Sequence, residues 1–141
     1  MKSAIFNGPN GKETVISNIS LFKEMIMGDF NTFWMQGSGD GFIDFYEDNE
    51  KIATLMLGPN IEYGLYLHFI DHVTRINLLS LHDENKLEEV AETAEEIYAS
   101  IGLFLPIDLA WEGVLEFIRT GKASSKIRWI TPDDIPESGN W

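Results

Sequence analysis

Tyr63-Gly64-Leu65-Tyr66-Leu67-His68-Phe69-Ile70-Asp71-His72-Val73-Thr74-Arg75-Ile76-Asn77-Leu78-Leu79-Ser80-Leu81 contains two β-prone runs, Tyr63–Ile70 and Thr74–Leu81, separated at Asp71-His72. So short a connection makes successive strands antiparallel neighbours, because a parallel pair needs a crossover of a dozen or more residues. The first run does not alternate cleanly. Leu65, Leu67 and Phe69 share one face, yet Tyr66 and Ile70 on the other face are apolar too. That is the pattern of a central strand covered on both sides.

Outward toward the N-terminus, Ile52–Leu57, Phe42–Glu47 and Thr32–Gln36 are also β-prone. They are separated by Gly58-Pro59-Asn60, Asp48-Asn49-Glu50 and Gly37-Ser38-Gly39-Asp40-Gly41. Residues 3–6 and 13–17 read as a hairpin across the turn cluster Asn7-Gly8-Pro9-Asn10-Gly11. A short helix is predicted from Asn18 or Ser20 to Met27, with Leu21, Phe22, Met25 and Ile26 on one face. Gly28 stands where a helix end calls for positive φ.

Toward the C-terminus, residues 86–100 are ambiguous. Leu87, Val90, Ala91, Ala94 and Ile97 fit a helical stripe opposed by glutamates, and local pattern favours the helix. The alternative is a strand at Glu96–Ser100 that continues toward Leu105. The following helix is plainer. Pro106 suits its first position, and Asp108 puts negative charge in the first turn, where the helix dipole favours it. Ala110, Trp111, Val114, Phe117 and Ile118 form its apolar face, and Gly121 ends it. Lys126–Ile130 reads as a strand with Ile127 and Trp129 on one face, and Pro132-Asp133-Asp134-Ile135-Pro136 as a surface tail. No repeat, low-complexity tract or linker divides these elements, so they read as a single domain over residues 1–141.

Charge narrows the range of partners. Twenty-three Asp and Glu against ten Lys and Arg leave a net charge of −13. Phosphate backbones and anionic lipids repel such a surface, so nucleic acid and membranes are not expected partners. A basic protein is. The absence of cysteine removes disulfides and thiolate metal sites. No signal-peptide core or membrane-length apolar run is visible, so a soluble cytoplasmic protein is the expectation.

No chemical motif assembles convincingly. Gln36 to Glu47 can be laid on a calcium loop with Gly41 sixth and Glu47 twelfth, but a neutral amide then takes the first position, where the motif demands Asp. Asp40-Gly41 reads more simply as a hairpin turn. His68, His72 and His82 lie in β-prone sequence without metalloprotease spacing, and imidazoles at strand ends are usually solvated. Gly37-Ser38-Gly39-Asp40-Gly41 lacks the lysine and following helix of a phosphate loop. Neither a cofactor nor a metal nor an enzyme activity is called for. Trp111 and Trp129 read as core, and Trp141 as a ring folded back on the body. Two acidic stretches remain as contact candidates. Asp44-Phe45-Tyr46-Glu47-Asp48-Asn49-Glu50 mixes acids with aromatics, a combination suited to a basic partner, and Leu87-Glu88-Glu89-Val90-Ala91-Glu92-Thr93-Ala94-Glu95-Glu96 is the densest single-sign run.

The block Ser100-Ile101-Gly102-Leu103-Phe104-Leu105-Pro106-Ile107-Asp108-Leu109-Ala110-Trp111-Glu112, then Glu116-Phe117-Ile118-Arg119-Thr120-Gly121, then Lys126-Ile127-Arg128-Trp129-Ile130, resembles the C-terminal region of immunity protein family one. These are bacterial immunity proteins of polymorphic toxin and contact-dependent inhibition systems. The likeness covers about residues 96–141, and upstream only the hairpin strands and Gly41-Phe42-Ile43 agree. The resemblance makes residues 86–100 more strand-like, with a strand ending near Leu103, and so implies an α+β fold: a mainly antiparallel β-sheet with one short N-terminal helix and one C-terminal helix packed on it. It also implies an inhibitory binder of a cognate toxin domain, typically a nuclease or nucleic-acid deaminase, in the producing cell's cytoplasm. On that expectation Asp40, Asp44, Tyr46, Glu47 and Asp48, then Glu88, Glu89 and Glu92, are the candidate toxin contacts. Two other readings stand beside it: an acidic interaction or regulatory domain without a toxin, and a small hydrolase using His68 and nearby carboxylates.

Overall fold

In a computed structural model that describes residues 1–141, the segment around Tyr63–Leu81 does form the middle of an antiparallel sheet. The strands are β1 (Lys2–Asn7), β2 (Glu13–Val15), β3 (Gly41–Glu47), β4 (Glu50–Asn60), β5 (Gly64–Asp71), β6 (Ile76–Leu81), β7 (Val90–Glu92), β8 (Tyr98–Ser100), β9 (Phe104–Leu105) and β10 (Arg128–Ile130). The main sheet runs β10-β6-β5-β4-β3-β1-β2. β9 shares one edge of β5 with β6, pairing Leu65 and Tyr66 while β6 pairs His68–Asp71. β7 and β8 form a separate hairpin.

Helices α1 (Ile19–Lys23), α2 (Phe30–Trp34) and α3 (Ile107–Thr120) complete the architecture, with a π-turn at Glu24–Gly28 joining the first two. α3 lies against β5 and β3. Its Trp111, Val114 and Phe117 bury themselves in one large cluster with Leu65, Leu67 and Phe69. Phe117 meets Phe45 and Phe69 edge-on, each at 6.0 Å between centroids. Gly113 makes this approach possible, since a Cβ there would stand 2.3 Å from Ile127 Cδ1 and 2.8 Å from Leu67 Cδ1. The other face of β5 carries a smaller cluster, in which Tyr66 packs with Leu79, Ala99, Leu103 and Phe104. The imperfect alternation of β5 thus reflects two layers of cover.

Several local expectations are corrected. Thr32–Gln36 is not a strand: residues 30–34 are helical. Asp29 caps that helix by accepting the Thr32 N–H at 3.4 Å, and Phe30 and Trp34, four apart, are both buried. Trp34 Nε1 also donates to the Ile26 carbonyl at 3.0 Å. Burying two large aromatics on one helical face outweighs the modest β-preference of Thr, Phe and Trp. Asp40-Gly41 is consequently the entrance to β3 and not a hairpin turn.

Gly28 does not adopt positive φ. The chain continues through it into Asp29 and α2 instead of stopping. Residues 86–100, finally, are not a helix but the β7–β8 hairpin, with Glu96 left-handed at φ 61° in its turn. Ala91 and Ala99, opposite each other, pack on the smaller cluster, which a helix at this position would have to vacate. The strand expected to end near Leu103 stops at Ser100, and a 3₁₀ turn covers Ile101–Leu103. Pro106 sits one residue earlier than predicted, at the N-cap of α3.

Candidate functional site

The predicted contact residues do not form one patch. Asp40 is half-buried before β3 and accepts a hydrogen bond from Ser38 Oγ at 2.8 Å. Tyr46, Glu47 and Asp48 lie at the opposite end of the strand, where Glu47 faces Glu50 across the β3–β4 turn. Six steps along an extended strand span about 20 Å, so Gly41 and Glu47 mark well-separated edges of the molecule. Tyr46 is half-buried, and Glu47 and Asp48 are exposed.

Asp44 is the clear correction. It is only 6% exposed, accepts from Thr54 Oγ1 at 2.7 Å, and has Lys51 Nζ 3.9 Å from its other oxygen. Thr54 Oγ1 is also 2.8 Å from His72 Nε2. Because the threonine hydroxyl gives its one proton to Asp44, it accepts from His72, which fixes a proton on that ring nitrogen. Asp44 is therefore spent on an internal chain and presents no free carboxylate to a partner.

Glu88, Glu89 and Glu92 are exposed around β7. Glu89 pairs with Lys86 at 3.1 Å, and Glu92 accepts the Glu96 N–H at 3.1 Å. Of these three only Glu92 lines a cleft of about 660 Å³. The cleft opens between the loop Gly37–Gly39, the β4–β5 turn and the β7–β8 hairpin. Phe30 and Trp34 contribute buried aromatic wall, while Met35, Ile61, Tyr63 and Val90 are exposed there by 37–74%. Glu62, Glu92 and Glu95 supply its charge, and no lysine, arginine or histidine lines it. Asn60 organises the turn. Its Oδ1 accepts the Glu62 and Tyr63 N–H groups at 2.8 and 3.0 Å, and its Nδ2 donates to the Glu92 carbonyl at 2.9 Å.

Glu62, Ile61 and Tyr63 were not singled out from sequence as contacts, and Glu95 stood out only as a member of the acidic run over residues 87–96. The rule applied to residues 44–50, acids interleaved with aromatics, would have found Asn60-Ile61-Glu62-Tyr63 as well. What hid the site was distance in sequence: its walls come from residues 30–39, 59–63 and 90–101.

The histidines do not converge. His68 is buried in the middle of β5, not solvated at its end. Its Nε2 lies 2.7 Å from Asn77 Oδ1, Tyr66 stacks beside it at 6.5 Å, and the Trp141 edge covers it at 5.4 Å. Burial holds the imidazole below its ordinary pKa, partly opposed by the Asn77 hydrogen bond. Burial likewise pushes the Tyr66 phenol up, and its hydroxyl has no hydrogen-bond partner. His72 is exposed in the β5–β6 turn, and His82 is exposed beyond β6. The ring of His68 thus meets an amide, where a hydrolase reading needs a carboxylate. No three His, Asp or Glu side chains gather as a metal-binding group.

Trp111 is buried, Trp129 is half-buried against the large cluster, and Trp141 is folded onto His68 while remaining 48% exposed. Compared with protein-family models, curated proteins and solved structures, the chain finds no match. No helix is long and apolar enough to cross a membrane.

Proposed function

We propose that this protein is an immunity protein, an inhibitory binder that neutralises a cognate bacterial toxin domain by covering its active site. The observation that carries the reading is the cleft at the end of the sheet. It joins exposed apolar side chains to three carboxylates, with no basic residue among its walls, on a molecule of net charge −13. Such a surface suits a partner whose own charge is positive, as a nuclease or nucleic-acid deaminase must be to hold its substrate. The likeness of residues 96–141 to immunity protein family one supports the same reading through the scaffold. Its Ala110, Trp111, Val114 and Phe117 are buried where α3 meets the sheet, so those motifs serve the core and leave recognition to other surfaces.

On this reading no chemistry is asked of the protein. It acts in the producing cell's cytoplasm by occupying the toxin's basic groove. Exposed carboxylates outside the cleft, such as Glu47, Asp48 and Glu88, would steer approach. The test is a titration with the toxin domain encoded beside this gene. Binding at about nanomolar Kd or tighter is expected, with an association rate approaching about 10⁸ M⁻¹s⁻¹ at low salt and falling steeply as salt rises. Toxicity that persists at equimolar protein would refute the proposal.

A further inference from the structure

We infer that the cleft is a strand-addition site: β7 offers its free edge to an extended segment of the partner in which arginine or lysine alternates with apolar residues. That the partner is a toxin rests on the function proposed above; the binding mode does not.

The backbone of the hairpin supports this. β7 pairs only with β8, in the register Val90↔Ser100, Ala91↔Ala99 and Glu92↔Tyr98. The Glu89 carbonyl accepts the Ile101 N–H, and the Thr93 N–H donates to the Ile97 carbonyl, each at 2.8 Å. In an antiparallel ladder hydrogen-bonding direction alternates along the strand, so residues 89, 91 and 93 spend their backbone groups on β8. The N–H and C=O groups of Val90 and Glu92 then point away from β8 and have no strand partner. Both residues line the cleft. The Asn60 side chain already donates to the Glu92 carbonyl at 2.9 Å, so an added strand would bond to the Val90 N–H and C=O and the Glu92 N–H.

An unpaired strand edge is a template for another chain, and proteins that leave one free of partners cover or charge it. Here the edge borders a cleft with exposed Ile61, Tyr63 and Val90 to receive alternate apolar side chains. Glu62, Glu92 and Glu95 select the rest of the occupant. With no cation lining the cleft to neutralise them, they favour a segment carrying arginine or lysine and reject an acidic one. The other free edge of the hairpin is already used, since the Ser100 N–H donates to the Asn140 carbonyl at 2.8 Å.

The test uses the full chain, labelled for amide NMR, and a capped heptapeptide alternating valine and arginine. Saturable shifts concentrated at Glu62, Val90, Glu92 and Glu95 are expected. A peptide with the same arginines but proline in place of valine, which cannot add as a strand, should bind about tenfold more weakly or worse. Val90→Pro removes an outward N–H that β8 does not use, and Glu92→Arg reverses a charge while keeping the backbone ladder, at the loss of the side-chain bond to the Glu96 N–H. Each should weaken the valine–arginine peptide by about tenfold while thermal unfolding stays cooperative. Equal binding of the proline peptide, or shifts spread evenly over the acidic surface including Glu47–Glu50, overturns the inference. So does an unchanged Kd for the toxin in the Glu92→Arg protein, an outcome that leaves the proposed function intact. Peptide docking without protection against any neighbouring toxin would instead sink the proposed function and uphold the strand site.

Discussion

Replacing Gly121 by alanine isolates how tightly the end of α3 is locked to the sheet. Gly121 caps the helix at φ 71°, with its N–H donating to the Phe117 carbonyl at 2.8 Å. A left-handed conformation costs a residue bearing a Cβ about 1–2 kcal/mol. The added methyl would also stand 2.5, 2.8 and 2.9 Å from Cδ1, Cε1 and Cγ of Phe45. Three atoms of one ring lie in the way, so no rotation of a terminal group relieves the clash. Phe45 is fully buried and held edge-on against Phe117. Overpacking of this kind costs about 1–3 kcal/mol more, giving a total of about 2–5 kcal/mol. Gly11 provides the control. It has φ 80° but nothing within 4 Å of its ideal Cβ, so Gly11→Ala carries the conformational cost alone. Urea unfolding of the two variants beside the parent gives the difference, and with a slope of about 2 kcal/mol/M the Gly121→Ala midpoint should fall by about 1–2.5 M. Phe45→Leu in the Gly121→Ala background should recover part of that loss. If Gly121→Ala costs no more than Gly11→Ala, the locking of α3 through Phe45 is wrong.

Three further outcomes are expected. His68 is buried with a lowered pKa, so its neutral ring favours the folded state: that stability is fully present above the unfolded pKa of about 6.5 and lost as pH falls through the lower folded value. The difference in unfolding free energy between the parent and His68→Gln should therefore be flat above neutrality and change on acidification, and a constant difference across that range would contradict the burial argument. Ser80 Oγ donates to the Leu103 carbonyl at 2.7 Å and accepts the Leu67 N–H at 2.9 Å, all in the interior; Ser80→Ala leaves both groups unpaired and should cost about 2–5 kcal/mol in denaturant unfolding. Thr54→Val breaks the Asp44–Thr54–His72 chain and strands a buried carboxylate with only Lys51 nearby, a loss of about 1–3 kcal/mol that calorimetry would register as a lower Tm.

The candidate site was less legible than the fold. Charge and the acid–aromatic mixture pointed to a surface for a basic protein, and Asp40 and Glu92 do lie toward the cleft end of the sheet. Asp44 looked the same as its neighbours in the sequence. Only its pairing opposite Thr54, with His72 reaching the same hydroxyl from the next turn, shows that its charge is used inside. Glu62 passed unnoticed, and Glu95 was not separated from its acidic run, because a cleft is a relation between segments and no local window spans residues 34, 62 and 92.

The amino-acid order by itself determined whatever depends on neighbours along the chain. The succession of β3, β4, β5 and β6 follows from short turns between apolar runs, and the length of α3 from its periodicity, Pro106 and Gly121. It likewise determined that β5 is covered on both faces. Tertiary structure decided the segments whose local preferences nearly balance. Residues 30–34 became helical because that geometry buries Phe30 and Trp34 together, and residues 90–100 became a hairpin because Ala91 and Ala99 complete a layer over Tyr66 and Leu103. Intrinsic preferences differ by a few tenths of a kcal/mol per residue, whereas burying one large side chain is worth about 1.5–3 kcal/mol, so packing wins wherever the two disagree.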